Sequence, residues 1–109
     1  MPIANCWVHP NCDAKCEDLI ALWSKFSGQS SEHMTVNICQ MQQQFGHAYQ
    51  VTATLILPTL WQSDSISLLQ LGLAKALIKY YGLKAKDVMV ITQLVESGCV
   101  VEGENELNW

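Results

Sequence analysis

Arginine is absent from this 109-residue sequence, and its six basic side chains are all lysine. A guanidinium fork that grips a carboxylate or phosphate bidentately is therefore excluded, and any anion must be held in another way. Charge of either sign is scarce, with 15% of residues charged and a net charge of −4. A basic patch able to neutralise phosphates is missing, which excludes the usual electrostatic footprint of a nucleic-acid partner. Long hydrophobic runs are missing too. No stretch approaches the roughly 20 apolar residues of a membrane span, and the N-terminus lacks the basic and apolar regions of a secretory leader. The chain thus reads as cytoplasmic, with no membrane partner. Its five cysteines are an odd number and, without a leader, read as thiols rather than a disulfide framework.

What is present in abundance is apolar surface. Half the residues are hydrophobic, more than a small monomer covers easily, so oligomerisation is expected. The length fits a single domain over residues 1–109. Ile3 to Val8 can alternate faces as a strand, which His9-Pro10-Asn11-Cys12 then stops. Asp13 is placed to cap a helix in which Cys16, Leu19, Ile20, Trp23 and Phe26 recur at helical spacing, and Gly28 stands where a C′ glycine would end it. Met34 to Met41 puts Met34, Val36 and Ile38 on one face of a second strand. After a turn over Gln42 to His47, the Val-, Thr- and Leu-rich run to Leu57 predicts a third strand in a hairpin with the second, ended by Pro58. Asp64 or Ser65 would cap a second helix with Leu68, Leu69, Leu73, Ala76, Leu77 and Tyr80 on its apolar face, closed by Gly82. Lys84 to Asp87 reads as a turn and Val88 to Val95 as a strand. The acidic tail 96–109 shows no clear periodicity, and Trp109 is free either to be disordered or to dock on a neighbouring subunit.

The chain also resembles itself. At an offset of 54 residues Leu19 meets Leu73, Trp23 meets Leu77, Phe26 meets Tyr80, Gly28 meets Gly82 and Val36 meets Val90. Pseudo-repeats over about 1–41 and 48–95 predict tandem β-α-β units in an α+β architecture, a four-stranded sheet with two helices on one face. The bare second face calls for a sister subunit.

The opening Met1-Pro2-Ile3-Ala4 carries the chemistry. Removal of Met1 leaves a secondary amine, and an α-amino group titrates at roughly 7.7–8.0, so modest burial brings it near working pH, where a general base is most useful. An N-terminal Met-Pro-Ile-Ala on a strand, combined with the duplicated β-α-β plan, resembles the tautomerase superfamily: 4-oxalocrotonate tautomerase in the opening, and macrophage migration inhibitory factor and 5-carboxymethyl-2-hydroxymuconate isomerase in length. The resemblance covers the chain to about Val95. It implies a homotrimer with active sites between subunits, a small keto-enol or α-keto acid substrate, Pro2 as catalytic base and conjugate acid, and no cofactor. It places Gln29 where a lysine follows helix one, with Lys25 the nearest cationic substitute. Leu57 falls at the pocket-lining position ending strand three, and Trp61 falls on the pocket wall. Met89 and Ile91 replace a tyrosine and an asparagine contributed by the neighbouring subunit. With those polar groups and the carboxylate-gripping arginines gone, the alternative is a non-catalytic trimeric binding or scaffold protein of the same fold.

Other clusters carry less. Cys6, His9, Cys12 and Cys16 are soft ligands, but one lies on a strand and another on a helix face without the short cysteine pairs of zinc sites, so core thiols and no metal are expected. His9 and His47 read as turn residues. Glu17 and Asp18 are adjacent on a helix and so point apart as solvent groups. Trp7 and Trp23 are explained as core or interface bulk.

Overall fold

The computed structural model describes residues 1–109. Strands β1 (Ile3–Val8), β2 (Thr35–Gln40), β3 (Val51–Pro58) and β4 (Val88–Val95) form a mixed sheet in the order β2-β1-β3-β4. Helix α1 (Leu19–Ser27) joins β1 to the parallel β2, and α2 (Ser63–Tyr81) joins β3 to the parallel β4. The two β-α-β units meet where β1 and β3 run antiparallel, with Ile3 opposite Ile56 and Val8 opposite Val51.

Several expectations are corrected here, among them the cap of α2, which is Gln62 ahead of Ser63 and not Asp64 or Ser65. Strands β2 and β3 are not hairpin partners, because β1 lies between them. A parallel crossover places β2 beside β1, and the segment from Met41 to Gln50 must then pass the end of β1 to reach the other side. Helix α1 also begins later than the periodicity suggests. Its cap is Asp18, whose carboxylate accepts from the Ala21 amide at 3.0 Å, rather than Asp13. The preceding segment is held instead by tertiary bonds: the Lys15 amide donates to the Tyr80 carbonyl at 2.6 Å and the Cys16 thiol to the Lys79 carbonyl at 3.8 Å. Both glycines end their helices in the left-handed region, Gly28 at φ 71° and Gly82 at φ 64°.

Strand alternation sorts the sheet into two faces. Ala4, Cys6 and Val8 of β1 and Val51, Ala53, Leu55 and Leu57 of β3 are buried under the helices. They meet Leu69, Leu73, Ala76 and Leu77 of α2 and the wholly buried Trp23 of α1, whose indole N–H donates to the Leu69 carbonyl at 3.0 Å. Leu68 is half exposed and lies off this face, one residue away from Leu69. The opposite face carries Asn5, Trp7, Asn37, Thr52, Thr54 and Ile91, with Asn37 bonded to Asn5 across the strands at 2.8 Å. Trp7 is 52% and Ile91 58% exposed there.

The helices approach closely at Gly72. A Cβ at this position would lie 2.8 Å from the Ser27 amide nitrogen and 2.9 Å from its Cα, so the obstacle is backbone. Alanine would gain about 1 kcal/mol in helix propensity, but forcing α1 away costs typically 1–3 kcal/mol. Gly72→Ala should therefore lower unfolding free energy by about 1 kcal/mol, read from the urea midpoint; a stabilised variant would refute the close contact.

The tail is an ordered hairpin, contrary to the reading of 96–109 as aperiodic. Strands β5 (Val100–Glu102) and β6 (Asn105–Leu107) pair around Gly103-Glu104. Gly103 has φ 63° and no other residue type in the chain has positive φ, which fits the type II′ turn that favours glycine at its first central position. Trp109 is docked: its indole N–H donates to Thr59 Oγ1 at 2.9 Å, and its amide to Ser97 Oγ at 2.8 Å. No helix is long and apolar enough to cross a membrane.

Candidate functional site

Pro2 stands at the head of an interior strand, a position a proline tolerates because it has no N–H to give to the ladder. Its carbonyl accepts from the Thr35 amide at 2.9 Å, which ties the start of β1 to the start of β2. Pro2 is buried, on the helix-facing side with Ala4 and Cys6. While Met1 is attached, the Pro2 nitrogen is an amide and the chain's amine belongs to Met1. Burial lowers that amine below its ordinary value of 8.0, and the Glu102 carboxylate pulls in the opposite direction.

The sheet topology decides which other residues share this end. Because β3 runs against β1, its exit at Leu57 and Pro58 lies beside the chain start. The loop after β3 therefore belongs here, as does the end of β4, where the Thr59 amide donates to the Val95 carbonyl at 3.0 Å. α1 returns to the same end before β2 begins, which brings Gln29. Its carbonyl accepts from Ser24 Oγ at 2.6 Å and its amide donates to Ser27 Oγ at 3.2 Å, so its backbone is fixed and its carboxamide makes no hydrogen bond in the chain. Lys25, in the last turn of α1, is exposed, with Nζ 5.9 Å from the centroid of the Phe26 ring.

Three of the expected residues sit differently from a simple open pocket. Leu57 is wholly buried in the core beneath the helices, because β3 alternation assigns it the same face as Val51, Ala53 and Leu55. Trp61 is half buried against the core, and its indole nitrogen is buried without a partner. Such an orphaned donor is costly and marks a place where a hydrogen-bond acceptor would be welcome. Met89 stands at the far end of the sheet, opposite Thr52, on the face away from the helices, with Ile91 beside Thr54. Within one chain neither comes near Pro2. The C-terminal hairpin that brings Trp109 onto Thr59 beside this end was missed in the sequence; the glycine of its Gly103-Glu104 turn was the signal.

The open cavities lie elsewhere. A cleft of about 550 Å³ is lined by Trp7, Thr52 and the run Gln40 to Gln44, and a second of about 210 Å³ by His9, Pro10, Gln50 and the same loop. Both are at the end of β1 remote from Pro2, formed where the β2–β3 connection passes that strand.

The thiols are dispersed. Cys6 is pushed up to about 12 by burial, which leaves it protonated and unreactive near neutral pH. The Cys12 thiol points to Gln50 Oε1 at 3.5 Å, and no three His, Cys, Asp or Glu side chains gather as a metal site.

Two parallel β-α-β units joined antiparallel, with the chain start at the head of a central strand, define the tautomerase-superfamily fold, and solved structures match it over nearly the whole chain. One is a fused 4-OT in a symmetric trimer, 14% identical with a TM-score of 0.75, covering 97% of this chain and 94% of that chain. Another is Pt0534 inactivated by 2-oxo-3-pentynoate, at 10% identity, a TM-score of 0.73 and coverage of 97% and 94%. The macrophage migration inhibitory factor of Toxoplasma gondii is 12% identical, with a TM-score of 0.61 and coverage of 96% and 99%. No family model and no curated relative matches the sequence. At these identities the likeness establishes the fold, and the activity must be argued from the residues.

Proposed function

We propose that this protein is a cytoplasmic, cofactor-independent keto-enol tautomerase that works as a homotrimer, with Pro2 as its N-terminal base once Met1 is removed. The observation that carries the reading is the placement of Pro2 at the head of the interior strand β1, tied to the start of β2 through the Thr35 amide on its carbonyl. A secondary amine there takes a proton from the carbon or enol oxygen of a small carbonyl substrate. As its conjugate acid it returns the proton to the other atom, so neither oxidant nor metal is needed. The exposed sheet face, with Trp7 and Ile91, supplies the surface for subunit association. In such an assembly Met89 and Ile91 of one chain face the site of another, while Leu57, Trp61 and Gln29 support Pro2 from its own chain.

The reading is tested by the intact mass of the protein from its native host and by labelling. The expected result is a chain lacking Met1 that takes up one equivalent of 2-oxo-3-pentynoate, the reagent that inactivated Pt0534, with the added mass on the peptide beginning at Pro2. A retained Met1 would make Pro2 an amide and end the enzymatic reading. The second reading, a non-catalytic trimeric binding or scaffold protein, is favoured by a specific observation: both open cavities lie at the sheet end remote from Pro2.

A further inference from the structure

We infer that the larger cleft, at the far end of β1, is a binding site for an uncharged, hydroxyl-rich ring such as a saccharide, with Trp7 as its apolar platform and Gln40, Gln42, Gln43 and Thr52 as its hydrogen-bonding wall. This site is independent of the tautomerase reading, since it lies at the opposite end of β1 from Pro2.

The cleft is built by the segment that carries the chain from β2 past β1 to β3. Both roots of that segment are tied to the end of β1: the Met41 amide donates to the Val8 carbonyl at 2.8 Å, and the His9 amide donates to the Gln50 carbonyl at 2.8 Å. Within the segment the Gln44 carboxamide is already used, accepting from the Tyr49 amide at 3.0 Å and donating to Met41 Sδ at 3.5 Å. The loop is thereby held before any ligand arrives, which lowers the ordering cost of binding. Trp7 pairs with Thr52 of β3, and both lie on the sheet face away from the helices. With the loop they bound a cleft of about 550 Å³, within the roughly 300–1,000 Å³ of small-molecule sites.

The chemistry of the wall selects the ligand. No ionisable side chain lines the cleft, so a charged ligand would give up hydration without meeting a counter-charge. Trp7 is half exposed and offers ring area. The carboxamides of Gln40, Gln42 and Gln43 and the Thr52 hydroxyl make no hydrogen bond within the chain, in contrast to Gln44. A carboxamide both donates and accepts, as sugar hydroxyls do, and the C–H face of a pyranose ring supplies the apolar surface that an indole covers. An apolar ligand, or the apolar face of a partner subunit closing over Trp7, would leave these carboxamides buried and unpaired. The subunit contact keeps the rest of the open face, where Ile91 lies one row nearer the chain start, beside Thr54 and Asn5.

The test is saturation-transfer difference NMR on the full chain with glucose, cellobiose and maltose as probes, beside glucuronate, glucosamine and adenine. The neutral sugars should respond saturably, and glucuronate and glucosamine, which each add one charge, more weakly. Gln42→Ala and Gln43→Ala remove carboxamides that bond to nothing else in the chain, so the fold is kept; each should weaken sugar binding about twofold to tenfold, the range of a single hydrogen bond. Trp7→Ala should abolish the response. His9→Ala alters only the smaller cleft of about 210 Å³ across the same loop and should leave sugar binding unchanged. No response from any neutral sugar, or a response indifferent to Trp7, Gln42 and Gln43, would overturn the inference. Stronger binding of adenine through the same residues would also overturn it, making the cleft a site for planar bases. Shielding of Trp7 from acrylamide in the assembled protein, read as the quenching difference from Trp7→Phe, together with silence of the sugars would assign the cleft to the subunit contact instead.

Discussion

Pro2→Ala is expected to cut kcat/KM for phenylpyruvate tautomerisation by at least about 10²-fold, within the 10² to 10⁴ that a general base contributes. Alanine at the same place still ends in an amine, but a primary one on a flexible residue, without the ring that fixes the nitrogen relative to β1. The loss should appear mainly in kcat, because the proline nitrogen makes its decisive interaction with the proton in flight rather than with the resting substrate. The fold should survive: the Pro2 carbonyl that holds Thr35 is backbone and remains in the variant. Circular dichroism and the thermal midpoint accordingly control for unfolding. The pH profile supplies a second readout. A base acts when unprotonated, so activity should rise with pH through the titration of the terminal amine and then reach a plateau. Full activity in Pro2→Ala would exclude a requirement for the proline ring nitrogen as the base.

The parts of the fold legible in the sequence were those governed by local chemistry. Gly28 and Gly82 end their helices because only a left-handed residue closes each turn there, and the alternation of Val88 to Val95 delivered β4 with its observed bounds. The parts that were not legible depend on distant partners. Cys16 continues the helical period of α1 and Asp13 is placed to cap it, yet bonds from Lys15 and Cys16 to the end of α2 hold that segment out of the helix. The order of β2, β1 and β3 is likewise set by parallel crossover, which leaves no mark on the intervening residues. For the site, the spacing of Val51, Ala53, Leu55 and Leu57 already carried the information that Leu57 points into the core. Its assignment to the pocket came from family resemblance instead.

The second large effect is expected at Trp23. Its side chain is wholly buried at the junction of α1, α2 and the sheet, and replacing such a residue with alanine typically costs 3–5 kcal/mol. That is a large share of the 5–15 kcal/mol that holds a small domain folded, so Trp23→Ala should be largely unfolded or shifted to a much lower urea midpoint. The indole N–H adds a directional term through its 3.0 Å bond to the Leu69 carbonyl. Trp23→Phe separates the two contributions. It keeps most of the apolar volume and loses the bond, so a smaller loss, of about 1–3 kcal/mol, is expected. The repeat makes the comparison sharper. Its counterpart 54 residues later is Leu77, also wholly buried, so the first unit fills with one tryptophan the place the second fills with leucine. α1 has nine residues against nineteen in α2, and the larger side chain compensates for the shorter helix. Leu77→Ala should accordingly cost less than Trp23→Ala, and an equal or greater loss at Leu77 would refute that division of the core.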